Sequence, residues 1–93
     1  MSDVRTVRVR VAGHVQGVGF RWWTQQEARK LGITGWVRNE DDGSVQALLH
    51  GSEDAVGRML ERLRHGPPGA RVEHVEVEED DNGDTPSGFE ILR

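Results

Sequence analysis

The hydrophobic period of this chain changes from two to 3.6 across one short loop near its amino end, and that loop carries two glycines. Val7, Val9 and Val11 alternate with Arg8 and Arg10, the pattern of a strand with one buried and one wet face. From Phe20 onward Trp23, Thr24, Glu27, Ala28 and Leu31 recur at three- and four-residue steps, which predicts a helix closed by Gly32 at its C′ position. Trp22 and Trp23 sit about 100° apart on such a helix, so only one can face the core. Trp23 is assigned to it, and Trp22 to the surface as an amphipathic aromatic, with a place beside a ligand as the alternative. The connection between strand and helix is Val15-Gln16-Gly17-Val18-Gly19-Phe20-Arg21. Two glycines separated by one residue let the backbone take up positive φ, so that successive N–H groups turn inward toward one point. The helix start adds unpaired N–H groups and the positive end of its dipole, and Arg21 adds a planar, permanently charged fork. These parts describe a phosphate pocket, although a strand, a glycine loop and a helix also make an ordinary tight connection. The spacing matches neither a P-loop nor the dinucleotide fingerprint, because Gly17, Gly19 and Arg21 end the pattern.

The remaining elements follow from the same reading. Ile33–Asn39 reads as a second strand, with Val37 and Asn39 on one side and Trp36 and Arg38 on the other. Glu40-Asp41-Asp42-Gly43 is a hairpin turn, and the third strand places Val45, Ala47 and Leu49 on one face. Ser52 is an N-cap, Glu53 and Asp54 suit a first turn, and Val56, Met59, Leu60 and Leu63 form a helical stripe. That helix stops at Gly66-Pro67-Pro68-Gly69. Val75 and Val77 alternate with Glu76 and Glu78 as a fourth strand, while Val72 is out of phase and indicates a bulge or a later start. The acidic run from Glu76 to Asp84 reads as a solvated strand face leading into a mobile 79–87 loop, and Phe89 and Ile91 make a short last strand. The order is the split β-α-β arrangement of ferredoxin-like folds. An α+β sandwich is therefore expected, with an antiparallel sheet of four to five strands and two helices on one face. A chain of 93 residues builds one domain, spanning 1–93, around one small core, so any site lies at its surface.

A net charge of −4 argues against a general nucleic-acid binder. A small phosphorylated ligand is still compatible with it, because salt screens a diffuse acidic surface over roughly 8 Å. Zero cysteines exclude disulfides, a thiolate nucleophile and cysteine-ligated metal, and suit a reducing compartment. With no signal-peptide pattern at the amino end and no apolar run of spanning length, the expected location is cytoplasmic. His14, His50, His65 and His74 show no ligand spacing and read as exposed or locally bonded, so neither metal nor cofactor is expected.

Two segments carry a resemblance. Val11-Ala12-Gly13-His14-Val15-Gln16-Gly17-Val18-Gly19-Phe20-Arg21, and Gly35-Trp36-Val37-Arg38-Asn39-Glu40-Asp41-Asp42-Gly43-Ser44-Val45 with Gly51 beyond it, resemble the two signature motifs of the acylphosphatases. The length and element order also fit that family. The resemblance implies a small hydrolase that cleaves the carboxyl-phosphate bond of acyl phosphates without metal or cofactor. It implies that Arg21 binds the phosphate, that Val15, Gln16, Gly17, Val18, Gly19 and Phe20 form the binding loop, and that Asn39 positions the water. It also implies a small-molecule acyl phosphate as partner and inorganic phosphate as product and inhibitor, with no nucleic acid and no membrane, in a monomer.

Chemically, so small a toolkit suffices, because an acyl phosphate leaves as a carboxylate, a weak base that needs no general acid. Taken without the motif, Asn39 before a turn would be turn chemistry. Gln16 is expected to contribute its backbone. The competing reading is a non-catalytic ferredoxin-like module that binds a ligand or RNA. Against RNA, the first and third strands expose Arg8, Arg10, Gln46 and Leu48 where a stacking platform would carry aromatics.

Overall fold

A computed structural model of the chain describes residues 4–80 and 86–93. The elements run β1 (Val4–His14), α1 (Phe20–Lys30), β2 (Thr34–Asn39), β3 (Val45–Ser52), α2 (Glu53–His65), β4 (Arg71–Glu79) and β5 (Phe89–Ile91). The five strands form one sheet in the order β4-β1-β3-β2-β5. Period-two alternation sets its register. Val9 of β1 lies opposite Ala47 of β3, and Ala47 opposite Val37 of β2, so one apolar row crosses three strands. Val7, Val11, Val45 and Leu49 extend this face, and Phe20 and Ala28 of α1 with Val56, Met59 and Leu63 of α2 cover it. Full burial of a Val, Leu, Met or Phe side chain contributes about 1.5–3 kcal/mol relative to exposure, so these stripes supply the main driving force for docking both helices on one side.

Local chemistry ends the helices where the sequence indicates. The Ser52 hydroxyl accepts from the Ala55 N–H at 3.1 Å, capping α2. At the end of α1, Gly32 takes φ 71°, its N–H donates to the Arg29 carbonyl at 3.2 Å, and the Ile33 N–H donates to Ala28 at 2.9 Å. These two bonds are a Schellman closure, and they turn the chain straight into β2 with Ile33 buried.

Two features refine the sequence expectation. The sheet is antiparallel across β4-β1-β3-β2, but β5 pairs parallel with β2, so the whole is mixed. The chain leaves β4 at one edge and returns in the opposite direction at the other edge, which is the direction of β2. The out-of-phase Val72 marks a bulge within β4: Ala12 faces His74 and Gly13 faces Val72, leaving Glu73 as the extra residue. Val75 and Val77 lie on the helix side, opposite Val11 and Val9, although Val77 on this edge strand is 37% exposed. Of the expected 79–87 loop, residues 81–85 lie outside the described residues. Among the described residues no helix is long and apolar enough to cross a membrane.

The topology decides where a site can form. β1 and β2 both run antiparallel to β3, and β5 runs with β2. The carboxyl ends of β1, β2 and β5 therefore emerge at one end of the sandwich, where α1 begins.

Candidate active site

The loop after β1 has the backbone that its glycines permit. Gly17 and Gly19 take φ 75° and 76°, and no described non-glycine residue has positive φ, so the sign of φ alternates from Gln16 to Gly19. Such alternation turns successive N–H groups toward one concavity. Buried Val15 and Phe20 pin the loop at either end, and half-buried Val18 leans against the core. Val18 thus contributes its backbone to the loop, while its side chain contributes packing.

Gly19 is the N-cap of α1, with no side-chain cap and no acidic residue in the first turn. The first helical bond runs from the Trp23 N–H to the Gly19 carbonyl at 3.0 Å, so the N–H groups of Phe20 and Arg21 precede the ladder. An anion at this end would meet the positive pole of the helix.

Arg21 projects from that first turn. Its Nη1 donates to the Leu92 carbonyl at 3.1 Å, just beyond β5. No carboxylate pairs with it among the described residues, whereas Arg8, Arg10 and Arg38 are each ion-paired. One backbone acceptor therefore orients the guanidinium without neutralising it.

Asn39 is the last residue of β2, on the helix side in the row of Val37, where the alternation calls for an apolar residue. Its Oδ1 is buried and has no hydrogen-bond partner among the described residues. A buried acceptor left in that condition costs about 1–3 kcal/mol, which calls for a reason.

These groups meet in a pocket of about 220 Å³. Val15, Gln16, Gly17, Gly19, Phe20, Arg21 and Asn39 all line it, which brings together every anticipated site residue except Val18. Trp22 and Ile91 complete its wall. The surface assignment of Trp22 holds, at 63% exposure, but that surface is the rim of this pocket. Ile91 gave no signal in sequence, because its place depends on the parallel pairing of β5.

Gln16 departs from expectation. Its side chain is engaged, with Nε2 donating to the carbonyls of Glu40 and Ser44, each at 2.9 Å. This ties the loop to the β2–β3 turn beside Asn39. The turn is itself braced, since the Ser44 N–H and hydroxyl donate to Asp42 Oδ1 at 2.9 and 2.6 Å, and Arg10 Nη2 reaches Asp42 Oδ2 at 2.6 Å. The Ser44 hydroxyl, then Arg10 and the Ser44 amide, hold the Asp42 carboxyl well below the usual carboxylate range. The Asp-Gly pair marked the turn in sequence, but not its connection to Arg10.

Elsewhere, Thr6 Oγ1 and His50 Nδ1 lie 2.7 Å apart, His74 is 3.3 Å from Glu76, and His14 and His65 are exposed. Among the described residues no group of three or more His, Cys, Asp or Glu side chains converges on a point. On the open face of the sheet, Leu48 was expected to be exposed but is 4% exposed. It lies opposite both Arg8 and Trp36, and the guanidinium carbons of Arg8 and Arg38 lie 5.9 and 4.8 Å from the Trp36 ring centroid. Those arginines also pair with Asp80 and Glu40, so this face is engaged with its own charges.

Known proteins resemble this chain in sequence and in fold. The Acylphosphatase family model matches residues 7–91. A curated acylphosphatase from Rhizobium etli is 58% identical over 92 residues, covering 98% of each chain. Among solved structures, an acylphosphatase from Bacillus subtilis superposes with a TM-score of 0.92 at 38% identity, over 97% of this chain and 99% of that one. One from Coxiella burnetii gives 0.91 at 37% identity, over 97% and 94%.

Proposed function

The chain belongs to the acylphosphatase family and hydrolyses acyl phosphates, and we propose that it does so by direct attack of a water held by Asn39 on a phosphoryl group held by Arg21 and the loop from Val15 to Phe20. The observation that carries this reading is the buried, unpartnered Asn39 Oδ1 in the same pocket as Arg21 and the two glycines. An asparagine amide does not titrate near neutral pH, so it is no general base, but its oxygen accepts a hydrogen bond from water.

The water oxygen forms the new bond to phosphorus as the bond to the bridging acyl oxygen breaks. The bonding pair leaves with the carboxylate, and the water proton passes to a phosphate oxygen. Phosphoryl transfer spreads charge over the three equatorial oxygens. The loop N–H groups and the Arg21 fork are preorganised donors for that charge. Because the leaving group needs neither proton nor Lewis acid, the reaction runs without metal or cofactor.

Substrates are small acyl phosphates, and inorganic phosphate, the product, inhibits. The 1–93 chain works as one domain and as a monomer, since among the described residues only Val4, Trp22, Val77 and Ile91 are large exposed hydrophobics, too few for an extensive apolar interface. The cysteine-free composition suits the cytoplasm. Release of phosphate from benzoyl phosphate compared with p-nitrophenyl phosphate tests the reading. Hydrolysis of the first alone is expected, and equal hydrolysis of both would indicate a general phosphatase.

A further inference from the structure

We propose that Trp22 and Ile91 form the acyl subsite, and that this enzyme selects acyl phosphates whose acyl group is aromatic or bulky and apolar. The inference rests on the catalytic reading above and extends it to the other half of the substrate. The pocket lining has two characters: the loop backbone, Arg21 and Asn39 are polar, and the exposed side chains of Trp22 and Ile91 are apolar.

Four large apolar side chains are exposed among the described residues, and two of them, Trp22 at 63% and Ile91 at 38%, stand at this one pocket. The fold does not require Trp22 there. The core face of α1 is filled by Phe20, Thr24 and Ala28, and Trp23 packs on Phe20 with ring centroids 5.5 Å apart. Helical side chains lean toward the amino end of their helix, so a residue in the first turn covers what precedes the helix. For Trp22 that is the phosphate loop.

Ile91 reaches the pocket from the helix face of β5, opposite Val37 of β2. Its neighbour Leu92 supplies the carbonyl that orients Arg21, so the apolar wall and the phosphate clamp are parts of one structure. In an acyl phosphate the carbonyl carbon is one bridging oxygen from phosphorus. With the phosphoryl group on the loop, the acyl substituent still lies within the pocket that these two side chains line. An aromatic ring there would cover apolar surface that a methyl group leaves wet.

The test compares kcat/KM for benzoyl phosphate and acetyl phosphate in the wild type, Trp22→Ala, Trp22→Phe and Ile91→Ala. The wild type should prefer benzoyl phosphate. Trp22→Ala should lower its kcat/KM about tenfold, Ile91→Ala by less, and Trp22→Phe should restore most of the loss. Acetyl phosphate hydrolysis by Trp22→Ala should fall by clearly less than benzoyl phosphate hydrolysis, so that the ratio of the two shifts. Equal losses on both substrates, or an unaltered ratio in every variant, would overturn the subsite while leaving the catalytic reading intact. A wild-type chain inert toward both substrates would overturn the catalytic reading and the subsite with it.

Discussion

Gln16 Nε2 lies 2.9 Å from the Ser44 carbonyl, and this one side chain joins the glycine loop to the hairpin that carries Asn39. The same carbonyl also accepts from the Glu40 N–H at 2.8 Å, so losing the glutamine would not strand it. Gln16→Leu should therefore unfold at nearly the wild-type urea midpoint, since a net hydrogen bond is worth only about 0.5–1.5 kcal/mol. Turnover should fall further, because the loop and Asn39 lose their common register. Wild-type kcat in Gln16→Leu would show that the loop holds its place without this tie.

The loop glycines are required by conformation, since a Cβ added to Gly17 or Gly19 would meet open space within 4 Å. At φ near 75° a β-branched side chain is nonetheless strained. Gly17→Val and Gly19→Val should raise KM and lower kcat with a smaller effect on thermal unfolding. Gly19→Asn should do less harm than Gly19→Val, because asparagine visits the left-handed region. Steady-state kinetics on an acyl phosphate decides this, and a valine variant with wild-type constants would reduce the loop to a connection.

Acid should loosen the β2–β3 turn. The Asp42 carboxyl is depressed in the folded state from its ordinary value of 3.8, so its contribution is present above that value and is lost as pH falls below it. Glu79, lowered by its bond to Arg5 at 2.7 Å, acts in the same direction. Both groups are exposed, so the effect is modest and weakens with salt. Asp42→Asn should flatten the fall in stability below about pH 4, measured by urea unfolding at several pH values. An unchanged slope would show that the turn does not depend on the charge.

Chelator should leave hydrolysis of benzoyl phosphate unchanged, and inorganic phosphate should inhibit competitively. Loss of activity to chelator with recovery on adding a divalent ion would contradict the metal-free mechanism. Noncompetitive inhibition would place phosphate outside the loop.

The strands and helices were legible because each buries one periodic face, and periodicity is a local property. Val7, Val9 and Val11, and the α2 stripe Val56, Met59, Leu60 and Leu63, all reached the core as the spacing implies. The motifs singled out Arg21, Asn39 and the glycine loop, and the fold brings them to one pocket. The direction of β5 was not legible, since a three-residue strand carries no record of which edge it joins. The Trp22–Ile91 wall, the Leu92 carbonyl on Arg21 and the engagement of the Gln16 side chain depend on that pairing or on where a turn folds back. Such long-range contacts leave no period in the chain. Leu48 was misplaced for a related reason: its cover comes from Arg8 and Trp36 on neighbouring strands.

The proposed mechanism gives Arg21 and Asn39 separable tasks, and substituting each by alanine measures them. Arg21→Ala should weaken phosphate binding as well as turnover, with charge-assisted hydrogen bonds worth about 1.5–3 kcal/mol each. The most direct measurement is calorimetric phosphate affinity together with kcat for Asn39→Ala. Affinity and the circular dichroism spectrum should stay close to wild type while kcat falls by about 10²-fold or more. Full kcat in Asn39→Ala would contradict the assignment of the nucleophilic water and leave Asn39 as a turn residue.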